Sequence, residues 1–320
     1  MIVITGAAGF IGSCIVSRLN KEGESNIIVV DVLRKNDKWK NLRNLNFYDY
    51  LDRSHLLDFL KSHSNIEAVI HMGACSATTE TDTNYLMENN YRYTLNLAEH
   101  CVKNNIRFIY ASSAATYGDG KMGYNDDEAE LRKLQPMNMY GYSKHAFDLK
   151  AQREGWLDEI VGLKFFNVYG PNEYHKDDMA SVVFKAFTQI KEHGYVKLFK
   201  SHRSDFKDGE QKRDFVYIMD AVDMVLFFLK NKNESGIYNI GTGKARTFKD
   251  LVSSTFMAMG LEPDIKYIDM PMEIRDRYQY FTEANMDKIQ TAGNTNSLHS
   301  LEDGIKDYVQ NYLMKNFAHY

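Results

Sequence analysis

Tyr140 and Lys144 stand four residues apart in the run Tyr140-Gly-Tyr-Ser-Lys144. On a helix that spacing puts a phenol and an ammonium on one face. A phenolate held there can take the proton of an alcohol as hydride leaves its carbon. The neighbouring ammonium favours the ionised phenol and can reach a cofactor ribose. Tyr142 lies two residues from Lys144 and off that face, so Tyr140 is the candidate base.

Two further constellations suit the same chemistry. The run Phe108-Ile-Tyr-Ala-Ser112-Ser113-Ala-Ala-Thr116 is an apolar strand ending in hydroxyls. Strand ends face the ligand crevice in open α/β sheets, so Ser113 can hydrogen-bond a reacting oxygen beside Tyr140. At the start of the chain, Ile2-Val-Ile-Thr leads into Gly6, Gly9 and Gly12. Glycines at that spacing let backbone amides and a helix N-terminus approach a pyrophosphate. Asp31 closes the next apolar run, Ile27-Ile-Val-Val, where a ribose-binding acid is expected.

These groups need a scaffold that gathers strand ends on one rim. Apolar runs at 2–5, 27–31, 68–72, 107–112 and 160–166 alternate with helical stretches, one of them at 140–156. That alternation predicts an α/β fold, a doubly wound parallel sheet of Rossmann type. Beyond Tyr169-Gly-Pro171, a turn signal, the pattern predicts a helix over 179–193 and a strand over 195–199. An exposed loop over 200–213, a strand at 215–218 and a helix at 221–230 follow, then a strand at 238–240 and a further helix. The expected division is a dinucleotide-binding domain over 1–170 and a smaller mixed α/β substrate lobe over 171–320. Some segments of the second half should return to the first.

Composition narrows the setting. The 320 residues are 44% hydrophobic with a formal net charge of −4, which argues against a nucleic-acid coat. No apolar run approaches membrane-spanning length, so no span and no membrane partner are expected. The chain begins directly with its first strand, without a signal peptide. Cys14, Cys75 and Cys101 have no C-x-x-C spacing, which suits a reducing cytoplasm. The ten histidines show no metal-ligand spacing, so no metal site is expected.

The glycine turn, the strand-end serine and the Tyr-x-x-x-Lys pair resemble the extended short-chain dehydrogenase/reductase family. So do His71-Met-Gly-Ala-Cys75-Ser, Phe166-Asn-Val-Tyr-Gly-Pro171, His175-Lys176, Met179-Ala-Ser-Val182, Arg213-Asp-Phe-Val-Tyr217 and Arg277-Tyr-Gln279. Together they are similar to a branch of nucleotide-sugar epimerases that inverts C6 of an ADP-linked heptose for the lipopolysaccharide inner core. The resemblance implies an isomerase that keeps NADP bound, with NAD the lesser alternative, and a homo-oligomer, a pentamer in the family. It implies Tyr140 and Lys176 as two acid/bases that serve opposite faces of C6, with Lys144 and Ser113 beside them.

For the cofactor it implies Gly6, Gly9, Phe10, Ile11, Gly12, Asp31, Val32, Lys38, Arg53, Met72, Gly73, Ala74, Cys75, Ser76, Asn89, Lys144, Val168 and Lys176. For the ADP-heptose substrate it implies Ser113, Asn167, Asp178, Lys185, Phe199, Arg213 and Tyr278. Asp31 alone favours NAD, because an acid repels a 2′-phosphate; Lys38, Arg53 and the nearby Arg34 pull toward NADP. Asp178 and Lys185 replace a serine and a histidine of the family. Asp177 and Asp178 beside Lys176 are expected to hold it protonated and so weaken it as a base. Two other readings remain: a 4-epimerase of the same superfamily, and a non-catalytic dinucleotide sensor. The first would not need Lys176, and the second typically loses the tyrosine or the lysine.

Overall fold

The structure is a computed structural model that describes residues 1–275 and 278–320, with Glu273 and Ile274 described by backbone only. Arg277 of the Arg277-Tyr-Gln279 motif therefore lies outside the described residues. In chain order the strands are β1 (Ile2–Thr5), β2 (Ile27–Asp31), β3 (Asp49–Asp52), β4 (Ala68–His71), β5 (Arg107–Ser113), β6 (Val161–Phe165), β7 (Asn167–Tyr169), β8 (Val196–Phe199), β9 (Lys212–Tyr217), β10 (Gly236–Ile240), β11 (Ala245–Thr247) and β12 (Ile265–Ile268).

Seven of them form one sheet in the order β10-β6-β5-β4-β1-β2-β3, with every neighbouring pair parallel. β1, β2 and β4 are buried along their whole length, which is why they read as unbroken apolar runs. Parallel strands need crossovers, and the intervening helices supply them. Helices Phe10–Lys21 and Ile218–Lys230 pack together, Leu56–Ser62 packs on Tyr93–Lys103, Met139–Arg153 packs on the segment Met87–Arg92 that leads into Tyr93–Lys103, and these groups flank the sheet. Because all strands run one way, Thr5, Asp31, His71, Ser113 and Phe165 end on a common rim. The chain winds outward from β1 through β2 to β3, then returns to β4 on the other side of β1. The crevice beside β1 and β4 is thus the switch point where open sheets bind ligands.

The second half returns to this sheet at β10, which pairs with β6 from Gly236↔Val161 to Ile240↔Phe165. The rest builds two small sheets, β11-β9-β7 and β12-β8, over the rim. Several boundaries differ from the sequence expectation. The helix expected over 179–193 starts at Val182, where the Ser181 hydroxyl accepts the Phe184 amide at 3.2 Å as its cap. Before it, Tyr174–Met179 is a separate short turn broken at Asp177, whose φ is 46°. The exposed loop after β8 ends at residue 211, because Lys212 and Arg213 pair with Thr247 and Arg246 of β11. The helix expected from 221 begins at Ile218.

Candidate active site

The helix Phe10–Lys21 begins directly after the glycine turn. Its N-cap is Gly9, and no side chain caps its first amides. A Cβ on Gly12 would stand 2.2 Å from the Gly6 carbonyl oxygen, and one on Gly6 would stand 2.7 Å from the Gly73 amide nitrogen. Only glycine permits this approach, which leaves the uncapped helix end open to an anion. The carboxylate of Asp31 fastens the turn from the side. Its Oδ2 accepts the Ala8 amide at 2.9 Å, and its Oδ1 accepts the Val32 amide at 2.7 Å and Lys38 Nζ at 2.6 Å.

A cavity of about 400 Å³ opens over the turn. It is lined by Gly6, Gly9, Phe10, Ile11, Gly12, Asp31, Lys38, Met72, Gly73, Ala74, Cys75, Ser76, Tyr140, Lys144 and Lys176, all residues expected to hold the cofactor or the reacting group. Its outer end continues into a hollow of about 210 Å³ walled by Asp31, Val32, Arg34, Lys38, Arg53 and Asn89. There Arg53 donates to the Asn89 side-chain oxygen and lies over the Tyr93 ring. The inner end continues into a cavity of about 440 Å³ that shares Phe10, Ile11, Ser76, Tyr140 and Lys176 and adds Ser113, Asn167, Val168 and Arg213. Val168, expected at the cofactor, lines this inner part. The three spaces make one trench along the strand ends, from three cations at one end to Arg213 at the other.

The catalytic candidates meet midway. Tyr140 and Lys144 lie on the helix Met139–Arg153, capped by the Asn138 side chain on the Gly141 amide at 2.8 Å. Lys144 Nζ donates to the Ala111 carbonyl at 2.8 Å, which anchors it to the end of β5. Burial pushes the Lys144 ammonium down to about 8. Burial pushes the Tyr140 phenol up, and the opposing influence is its hydrogen bond with Ser113. Ser113 is the neighbour that favours ionisation of the phenol.

Lys176 also lines the cavity, its Nζ 5.3 Å from the centre of the Phe10 ring. Burial lowers its ammonium, Glu173 opposes, and Lys185 adds to the lowering. The expectation that Asp177 and Asp178 hold it protonated is not met. Both are exposed, turned to solvent by the backbone reversal at Asp177. The acid that faces Lys176 is Glu173, fully buried, which the sequence reading missed. Its carboxylate accepts the Ser181 amide and hydroxyl, each at 2.6 Å, and the Gly170 amide at 3.4 Å, tying the two ends of the loop together.

A second missed residue is Asn41. Its side-chain amide donates to the carbonyls of Ala8 at 2.9 Å and Asn172 at 3.0 Å, and its oxygen contacts His319 Nδ1 at 2.7 Å. One buried asparagine thus joins the glycine turn, the Lys176 loop and the C-terminal segment.

At the far end, Arg213 lies 5.3 Å from the Tyr278 ring centre and 5.6 Å from that of Phe248, and Tyr278 meets Phe199 edge-on at 6.4 Å. Phe199, Arg213 and Tyr278 are therefore brought together. Asp178 and Lys185 are not in the cavity walls: both are exposed, and Lys185 Nζ donates to the Asp178 carbonyl at 2.6 Å. His71 and His175 are buried or half-buried supports of the strand end and loop. Among the described residues no group of three or more His, Cys, Asp or Glu side chains could hold a metal ion. No described helix is long and apolar enough to cross a membrane.

Residues 2–241 match the NAD dependent epimerase/dehydratase family. The chain is 55% identical over 331 aligned positions to an ADP-L-glycero-D-manno-heptose-6-epimerase of Fusobacterium nucleatum, covering 98% of each. It is 53% identical to one of Nitratidesulfovibrio vulgaris, again covering 98% of each. Among solved structures, the ADP-L-glycero-D-manno-heptose-6-epimerase of Helicobacter pylori superposes with a TM-score of 0.82 at 31% identity, over 97% of this chain and 95% of that one. A Thermus thermophilus UDP-glucose 4-epimerase, solved with NAD, gives 0.77 at 25% identity over 96% and 97%.

Proposed function

Because the chain belongs to the NAD dependent epimerase/dehydratase family, we propose that it is an ADP-L-glycero-D-manno-heptose 6-epimerase that works with bound NADP. The observation that carries this reading is that Tyr140 and Lys176 line the same cavity above an uncapped helix end.

The residues fit a dinucleotide. The amides after Gly9 suit a pyrophosphate, and Asp31 stands where a ribose is bound. The hollow holding Arg34, Lys38 and Arg53 has cations to spare once Lys38 has paired with Asp31. That surplus suits a 2′-phosphate and supports NADP over NAD. When bound, the nicotinamide supplies a hydride acceptor and donor.

The chain's own part is to move protons and hold the sugar. Tyr140 Oη, aided by the Ser113 hydroxyl, takes the proton of the C6 hydroxyl in one orientation of the sugar. C6 is exocyclic, so rotation about C5–C6 presents its other face and swings the oxygen away from Tyr140. There Lys176 Nζ holds the proton. Burial lets Lys176 shed its proton; at Tyr140 it works against the phenolate, and the Ser113 hydroxyl opposes it there. In this reading Arg213, with Phe199 and Tyr278 around it, meets the ADP phosphates, since a guanidinium suits phosphate. Asn167 lines the space between.

In this reading residues 1–170 mainly hold the dinucleotide and 171–320 mainly hold the sugar nucleotide. The free thiols suit a cytoplasmic setting, and an assembly that follows the family would be a homo-pentamer. The deciding experiment releases and identifies the co-purified dinucleotide, then follows C6 inversion of ADP-heptose by NMR. Wild type should invert C6, while Tyr140→Phe and Lys176→Met should each lose about 10²-fold or more in turnover. Full activity in both variants overturns the two-base assignment. Inversion at C4 of a UDP-sugar in place of C6 of ADP-heptose overturns the substrate.

A further inference from the structure

The helix Met139–Arg153 carries a third member of the stripe formed by Tyr140 and Lys144. Asp148 follows Lys144 by the same four residues, and its side chain has no exposed surface. Its Oδ1 accepts the Tyr110 hydroxyl at 2.9 Å, and its Oδ2 accepts the Ser112 hydroxyl at 2.8 Å. Lys164 Nζ of β6 lies 3.5 Å from that same Oδ2. Lys164 is itself fully buried, donates to Thr116 Oγ1 at 2.7 Å and sits 4.5 Å from the Tyr117 ring centre.

Asp148 therefore grips the two hydroxyls that flank Ala111, and the Ala111 carbonyl is the acceptor of Lys144 Nζ. It also answers two buried ammoniums, Lys164 beside it and Lys144 one helical turn earlier. Nothing in the proton chemistry at Tyr140 and Lys176 uses this carboxylate directly.

We propose that Asp148 is a positioning residue: it keeps Lys144 an ammonium and fixes the end of β5 against which Lys144 and Ser113 are held. This rests on the placement of Lys144 in the active site. The groups that face Lys144 from each packed element are few. Its own helix brings Tyr140, His145 and Asp148. β4 and the turn after it bring His71 and Cys75. β5 brings Tyr110, and β6 brings Lys164, to Asp148 itself. Burial keeps His71 and His145 neutral. Tyr110 is held neutral by burial and by Asp148 itself. Asp126 and Glu128 act on Lys164, further from the cleft. Asp148 is thus the carboxylate, among the described residues, that sustains the Lys144 charge against the loss of its hydration.

The test is a direct titration. Protein labelled with ¹³Cε-lysine, with the Lys144 signal assigned from Lys144→Arg, should show a Lys144 midpoint near pH 8. In Asp148→Asn, nearly identical in shape, the midpoint should fall by about one pH unit or more, and the alkaline limb of turnover should fall with it. A folded Asp148→Asn protein with an unmoved midpoint overturns the proposal, whatever its melting temperature, because it would show a packing role alone. If Asp148→Asn does not fold, Lys164→Met decides. The midpoint should then rise, since Asp148 is left to Lys144; a midpoint that falls or stays overturns the proposal. The titration needs no sugar substrate, so its failure is separate from a failure of the assigned activity.

Discussion

Lys38 Nζ lies 2.6 Å from Asp31 Oδ1, so the acid that ends β2 is already matched by a cation. A bare carboxylate there would repel a 2′-phosphate; a paired one does not. Lys38→Ala should therefore lose affinity for NADP by about tenfold relative to NAD, roughly 1.4 kcal/mol. Calorimetric titration of the cofactor-free protein with each dinucleotide measures it. Equal losses for both would mean that Lys38 serves only Asp31.

The loop bearing Lys176 depends on Glu173. Glu173→Ala would leave the Ser181 amide and hydroxyl and the Gly170 amide without their acceptor and remove the carboxylate facing Lys176. Breaking a buried, hydrogen-bonded charge in this way costs about 3 kcal/mol. Urea denaturation should show a loss of that order, with turnover falling by about tenfold or more as the loop loses its closure. Glu173→Gln, which keeps acceptor capacity, should recover part of the stability. If the alanine variant is as stable as wild type, the clamp is idle.

His71 makes the fold sensitive to acid. It is buried between Thr5 Oγ1 at 2.6 Å and Thr94 Oγ1 at 2.9 Å. Burial, helped by Lys144 and Arg53, pushes it from 6.5 down to about 3. Its folded value lies below its unfolded one, so the unfolded chain binds the extra proton between those limits. The contribution is whole above pH 6.5 and drains as the pH falls toward 3, at about 1.4 kcal/mol per pH unit. His71→Gln should show a shallower fall in unfolding free energy over that range. Identical slopes in wild type and variant would exclude His71 as the cause.

Asp177 stores backbone strain beside Lys176. Its φ of 46° and ψ of −123° suit glycine far better than a residue with a Cβ. Asp177→Gly should stabilise the protein by about 1 kcal/mol by relieving that conformation. Thermal unfolding at matched protein concentration would reveal it, and a lower melting temperature would rule it out. Lys176 should keep its titration, since Asp177 points to solvent.

What the sequence made legible was local. Gly6, Gly9 and Gly12 follow an apolar run, and Tyr140 and Lys144 share a helical step, so both could be read without knowing their neighbours. β1, β2 and β4 were plain for the same reason: burial on both faces leaves a continuous apolar word. β3 was not, because Asp49-Tyr-Leu-Asp52 sits at the sheet edge, partly exposed, and carries an acid at each end. Glu173 and Asn41 were silent because their partners lie far along the chain: Asn41 is fixed by Ala8, Asn172 and His319. Asp148 went unread although it repeats the four-residue step from Lys144, because its meaning depends on Lys164 from another strand. Asp177 and Asp178 misled because adjacency in sequence says nothing about direction once a positive φ reverses the backbone.

The pairing of β10 with β6 has a consequence for the protein's birth. Residues 2–165 already contain six of the seven parallel strands, the glycine turn and the Tyr140–Lys144 pair. Gly236–Ile240 must emerge from the ribosome before the last strand can close the sheet, and His319 later still before Asn41 gains its third partner. On a nascent chain the glycine turn and the Tyr140–Lys144 pair are therefore made before the partners that lock the loop of Lys176 have been synthesised.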